Sequence, residues 1–292
     1  MLSTLFSVLA PVFFTAGVGF TWARARLAFD TLLVSRLVMN IGSPALVFSG
    51  LTRIDTDGGA MFATLLIAAV LALAMILIVN MAVLRILKLP TADYLHPITF
   101  PNWGNLGLPL CLFAFGDVGL SYAIAFFVTG SVVQFTLGVA IAAGTFNPSF
   151  ILRMPLIYAV AAALAFIGLG IEPPVWLANT AELLGSMMIP LMLLSLGVSL
   201  AELRITRLRE MIGFALYRYA LGVAIGFAVA GLFGFEGAAR GVVIIQCSMP
   251  VAVFNYLLSV RFGKRTEHAA SMVVLSTAIS ALGLLVLLPF LL

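Results

Sequence analysis

Long apolar runs, separated by short polar knots, fill the chain from end to end. A bilayer core of about 30 Å takes roughly 20 apolar residues per helix. The runs divide into ten stretches near that length: 4–21, 31–51, 61–86, 97–115, 119–143, 151–170, 175–200, 211–233, 238–261 and 268–290. The links are brief and polar, as from Arg24 to Asp30, Arg53 to Gly59 and Glu202 to Glu210. An apolar span begins almost at the N-terminus with no basic segment before it, so a membrane helix is expected there and not a cleaved signal. The pattern predicts an all-α polytopic membrane protein of ten transmembrane helices, with no soluble domain.

Two stretches depart from the pattern. The fourth contains Phe100-Pro101-Asn102-Trp103-Gly104-Asn105-Leu106-Gly107-Leu108-Pro109, which puts two prolines, two glycines and two asparagines inside one span. Proline removes a backbone donor and clashes with the preceding turn, and glycine permits unusual backbone angles. The ninth contains Gln246-Cys247-Ser248-Met249-Pro250, with Asn255 beyond. In hydrocarbon, broken backbone survives only where protein or a wet cavity surrounds it. Interrupted spans in corresponding halves point to a transporter binding site.

The halves repeat. Pro11 and Pro155, Pro44 and Pro190, and Pro109 and Pro250 stand 144, 146 and 141 residues apart, each pair in corresponding spans. Residues 1–145 and 146–292 then form two five-helix units, and an odd number of spans inverts the second in the membrane. Lysine and arginine orient the chain. One set of loops carries Arg24, Arg26, Arg85, Lys88, Arg153, Arg204, Arg207, Arg209, Arg261, Lys264 and Arg265; the other carries Arg53 and Arg240. The basic side is expected to be cytoplasmic, with both termini outside. Asp55, Asp57, Asp117, Glu172 and Glu236 fall on the outer side.

Composition agrees, with 63% apolar and 9% charged residues among 292. The basic residues sit in loops without a basic face or nucleic-acid motif, so no nucleic-acid partner is expected. Cys111 and Cys247 fall within spans as small packing residues, and no metal or cofactor is expected. His96 and His268 lie at span ends, where surface positions are expected.

The breaks suggest a chemistry. Each interrupted span starts a second half-helix deep in the membrane, and a helix N-terminus offers unpaired N–H groups and about half a positive charge. Two such ends meeting at the midplane make an anion site. Asn102, Asn105 and Gln246 add amide donors and Ser248 a hydroxyl. Gly107, Pro109, Pro250 and Asn255 complete the candidate substrate-binding set. The carboxyl ends of the first half-helices favour a cation or a donor. Ionisable groups within spans are functional candidates because lipid makes them costly. Glu182 is a candidate carrier of a coupling proton if buried, since burial favours the neutral carboxyl; otherwise it faces an outer vestibule or lies near the interface. Arg218 would attract a carboxylate or snorkel to the interface. Asn40, Asn80 and Gln134 suit interhelical hydrogen bonds, and Asn40, with Ser43 and Pro44, could also border the substrate path.

Pro101-Asn102 followed by Gly107-x-Pro109 resembles the broken fourth helix of the auxin efflux carrier family, which includes plant PIN-type carriers. Gln246-x-x-x-Pro250 resembles the family's broken ninth helix, and Met249-Pro250-Val251-Ala252-Val253-Phe254-Asn255-Tyr256 is similar to bacterial members. The resemblance covers essentially the whole chain. The short link from Gly144 to Leu152 replaces the long cytoplasmic loop of many plant carriers, which favours a bacterial-type carrier in an inner membrane. The resemblance implies a fold similar to bile-acid symporters and sodium/proton antiporters. It implies a dimerising scaffold of spans one, two, six and seven, a moving unit of the other six, elevator-type transport, and substrates such as malate or malonate.

Other classes fit less well. An intramembrane enzyme needs a nucleophile with its base, an acid pair or a metal motif, and neither HExxH nor GxSxG is present. A channel calls for a continuous polar stripe or charged rings, and a sensor for an output domain. The nearest rival is a sodium-coupled symporter of the same fold. No Asp or Glu adjoins either break, which disfavours a sodium site there, though backbone carbonyls could still bind the ion, and proton coupling and uniport both stay open.

Overall fold

The computed structural model describes residues 2–53, 56–144 and 152–292. Asp55 and most of the link after Gly144 lie outside the described residues. All regular structure among the described residues is helical. In chain order the helices are α1 (Leu2–Arg24), α2 (Thr31–Leu37), α3 (Ser43–Thr52), α4 (Thr56–Ile86), α5 (Thr91–Thr99), α6 (Leu108–Val133), α7 (Val139–Ala143), α8 (Pro155–Leu169), α9 (Val175–Ser186), α10 (Met188–Glu202), α11 (Leu208–Leu232), α12 (Gly237–Ser248), α13 (Val253–Arg261) and α14 (Thr266–Leu287). Wide π-helical turns at Val38–Gly42, Trp103–Gly107 and Gln134–Gly138 join α2 to α3, lead into α6, and join α6 to α7.

Among the described residues, seven stretches are long and apolar enough to cross a membrane: Ser3–Arg24, Thr31–Thr52, Ala60–Ile86, Trp103–Ala143, Val175–Glu202, Leu208–Leu232 and Thr266–Phe290. The difference from the ten expected has a physical origin. The stretch Trp103–Ala143 is 41 residues long and turns back on itself at Gly116, whose φ of +66° only glycine adopts easily. Trp103 accordingly packs against Phe126 and Gly130 beyond the turn. The expected span 151–170 forms α8, a shorter apolar helix of 15 residues. The expected span 238–261 is split into α12 and α13, with Met249 to Ala252 extended between them.

Two packed groups result. In one, α1 runs along α10, and α3 lies on α8 and α9. The α1–α10 crossing is close: a Cβ at Gly197 would lie 2.7 Å from the Phe20 backbone nitrogen. Small residues permit such approach where lipid provides no hydrophobic drive. In the other group, α11 lies on α12 and α14, and α4 lies on α5 and α6. Both histidines are buried here, contrary to the expectation of surface positions. His96 falls on the second turn of α5, because that helix begins at Thr91, six residues before the expected span, and it packs against Phe100. His268 packs against Tyr94, beneath a loop whose Thr206 amide is held by Ser271.

Candidate functional site

The two interrupted helices cross at their breaks. After α5 the chain extends through Phe100 and Pro101, and Asn102 then caps the next turn, its Oδ1 accepting the Asn105 N–H at 3.2 Å. The π-helical turn that follows leaves room for the Pro109 ring, which cannot take part in a regular turn. In the second break, Met249 to Ala252 are extended and α13 starts at Val253. The extended segments form a one-residue antiparallel bridge, Pro101 opposite Val251. Asn102 N–H donates to the Pro250 carbonyl at 2.7 Å, and Ala252 N–H to the Phe100 carbonyl at 3.2 Å. This pairing places no demand on Pro101 nitrogen, so proline is tolerated where a ladder would normally reject it.

Side chains complete the hydrogen bonding that the breaks leave open. Asn255 is fully buried and donates to the Pro97 carbonyl at 3.1 Å and the Phe100 carbonyl at 2.9 Å; its Oδ1 accepts from Gln134 at 2.7 Å. Asn80 donates to the Ile98 carbonyl at 3.2 Å and accepts from the Tyr217 hydroxyl at 2.8 Å. Val251 N–H donates to the Ser276 hydroxyl at 3.0 Å, and the Trp103 indole donates to the Gln246 carbonyl at 2.7 Å. Trp103 and Ser276 gave no signal in the sequence beyond the proximity of Trp103 to the proline motif.

A half-open cavity of about 820 Å³ lies between the two packed groups. Pro101 to Asn105 and Ala252 to Phe254 line one wall, so the amino-terminal turns of both second half-helices face the same space. Asn40, Ser43, Met192, Ser195 and Ser199 line the opposite wall. Arg36, Arg153, Glu202 and Arg261 stand toward the face that carries most of the basic loops. Asn102 is 4% exposed, and its Nδ2 has no hydrogen-bond partner in the protein. Aromatic rings dominate the rest of the surface, among them Phe100, Trp103, Phe127, Phe254 and Tyr256.

The remaining candidates occupy other places. Gly107, Pro109, Gln246, Ser248, Pro250 and Asn255 stand behind the cavity wall and do not line it. The Gln246 amide lies against Gly107, where a Cβ would come within 2.8 Å of its Cδ, and neither of its polar atoms has a partner. The Ser248 hydroxyl donates to the Ile245 carbonyl of its own helix. Arg218 is fully buried beside the end of α12 and reaches neither cavity. Glu182 borders a second cavity of about 630 Å³ on the opposite face, with Asp117 and Arg53. Its carboxylate is half-exposed and pairs with Arg53 at 2.6 Å, which fits the vestibule position and not the buried one.

Crossed, interrupted helices with cavities toward both faces, in a chain this apolar, define a membrane transporter. The comparisons agree. The model of the membrane transport protein family matches residues 4–149 and again 147–288. The chain belongs to this family, which is auxin efflux carrier-like. It is similar to the uncharacterized transporter MJ1031 of Methanocaldococcus jannaschii, at 28% identity over 192 residues. That alignment spans 62% of this chain and 62% of the relative's length.

Proposed function

We propose that the protein is a secondary carrier that binds a small organic anion, a mono- or dicarboxylate such as malate or malonate, at the crossing of its two breaks. The observation that carries this reading is the shared cavity wall: two helix amino-terminal turns line one space, and Asn102 stands in that wall with a buried Nδ2 that has no protein partner. Backbone N–H groups and helix dipoles favour an anion there. Arg36, Arg153 and Arg261 would draw anions toward the mouth. The aromatic lining would also accommodate a carboxylate with an apolar body.

In this reading the chain crosses the inner membrane ten times, as two inverted five-helix repeats with both termini outside. The crossings are α1, α2–α3, α4, α5 with α6 up to Gly116, α6 beyond it with α7, α8, α9–α10, α11, α12–α13 and α14. The group containing α1–α3 and α8–α10 is the scaffold, and a second copy would dimerise through it. The other group moves as an elevator. Support comes from the two cavities, which lie between the same two groups on opposite faces. A sliding motion would open one as the other closes.

The experiment is thermal stabilisation of the purified protein by a panel of aliphatic and aromatic carboxylates, since a ligand that binds the folded state raises its apparent stability. A shift with at least one carboxylate, lost in Asn102→Ala, is expected. No shift across the panel would overturn the anion assignment.

A further inference from the structure

Each of the last carbonyls at the negative end of α12 accepts a hydrogen bond from a side chain of the protein itself. The Ile245 carbonyl accepts from the Ser248 hydroxyl at 2.8 Å and the Gln246 carbonyl from Trp103 at 2.7 Å. The Cys247 carbonyl accepts from Arg218 Nη2 at 3.2 Å and the Ser248 carbonyl from the Ser280 hydroxyl at 3.4 Å. These are the last four carbonyls of the helix, the ones that no intrahelical N–H can reach. Of the four donor groups, only Arg218 brings a full charge.

Arg218 is unusual in its setting. It is fully buried, its Nε and Nη1 have no partner, and among the described residues no carboxylate forms an ion pair with it. An uncompensated cation in a membrane interior is costly. The compensation on hand is the partial negative charge that the aligned peptides leave at the end of α12. Gly222 makes the contact possible. A Cβ there would strike the Cys247 carbonyl and lie 2.8 Å from Arg218 Nη1. Arg218 lines neither of the two cavities described, so it is poorly placed to meet a substrate there.

We infer that Arg218 is a resident cation. Its guanidinium takes the place at the carboxyl end of α12 that an external coupling cation such as sodium would need. The crossing is then held together without sodium, because the guanidinium already supplies the positive charge at these oxygens and each of them already accepts a hydrogen bond. This goes beyond the anion reading and does not depend on it, since the experiment below uses no anionic substrate.

The purified full chain is titrated with sodium chloride against choline chloride at constant ionic strength, and thermal stability is followed. The wild type is expected to show no sodium-specific shift. Arg218→Ala is expected to melt lower, and millimolar guanidinium or sodium, but not choline, restores much of the loss. A merely space-filling arginine would show no such ion-specific rescue. Should Arg218→Ala fail to purify, Arg218→Lys keeps the charge and is expected to stay close to the wild type and insensitive to sodium. A saturable sodium shift in the wild type or in Arg218→Lys would overturn the inference. So would an Arg218→Ala protein as stable as the wild type, or one whose loss no cation repairs.

Discussion

Asn255→Leu tests whether the breaks are held by the hydrogen bonds described or merely by packing. Leucine keeps the volume and removes the amide. The Pro97 carbonyl then loses its Asn255 donor, and the Phe100 carbonyl keeps only the Ala252 N–H. Gln134 also loses its acceptor, but it lines the open cavity, where water can replace it. A buried group left without a partner costs about 1–3 kcal/mol. One such carbonyl and one halved carbonyl amount to about 2–4 kcal/mol by that rule. For a chain of this size the corresponding fall in melting temperature is roughly 5–10 °C. Asn102→Leu is the matched comparison. Its amide nitrogen bonds nothing in the protein, so only the Oδ1 cap to Asn105 is lost, worth about 0.5–2 kcal/mol. Differential scanning fluorimetry in detergent reads both variants. Asn255→Leu should melt clearly below Asn102→Leu, while the latter alone should forfeit stabilisation by carboxylates at near-normal folding. An Asn255→Leu protein that melts within about 1 °C of the wild type would refute the hydrogen-bond argument.

Pro250→Ala should let α12 run on toward α13 and weaken carboxylate stabilisation, and unchanged affinity measured by titration calorimetry would reduce the break to a kink. Gly222→Ala should lower the melting temperature by overpacking α11 against α12, at about 1–3 kcal/mol. Gly231→Ala, which meets open space on the same helix, should be neutral or mildly stabilising in the same scan. Arg53→Gln breaks a half-exposed ion pair with Glu182 and should change stability by less than about 1 kcal/mol, shrinking further at high salt. A larger loss would mean that the pair is a gate element and not a surface contact.

The transporter class and the positions of the breaks were legible in the sequence because proline and asparagine in an apolar run violate a strong rule about backbone in lipid. Division of labour between the polar residues was not legible. Asn102 and Asn255 look alike in sequence, yet one faces a cavity and the other fastens two carbonyls, a distinction that arises only when residues 97–100 meet residues 250–255. For Glu182, hydropathy located the span but not which of its turns solvent reaches, so the buried and vestibule positions both stayed open, and the half-exposed carboxylate fits the second. The burial of His96 and His268 was hidden for a related reason: α5 starts six residues before its apolar stretch. Arg218 was recognised as anomalous, but its partner, a backbone carbonyl 29 residues away, has no side-chain signature.

The Pro101–Val251 bridge also sets an order of events during synthesis. Among the described residues, its two hydrogen bonds are the only backbone bonds between the part of the chain before residue 145 and the part after residue 151. When the first part enters the bilayer, the Asn102 N–H has no backbone acceptor, and the Phe100 carbonyl lacks both Ala252 and Asn255. Those partners have not yet left the ribosome. Such groups are poorly tolerated in hydrocarbon, so the nascent first part is incomplete and in need of shelter, by lipid headgroups or by the insertion machinery. Two polypeptides divided within 145–151 should for the same reason accumulate only when made together. The proposed anion site would form only once residues 250–255 have been made, and a chain truncated before residue 250 would lack one of its two walls.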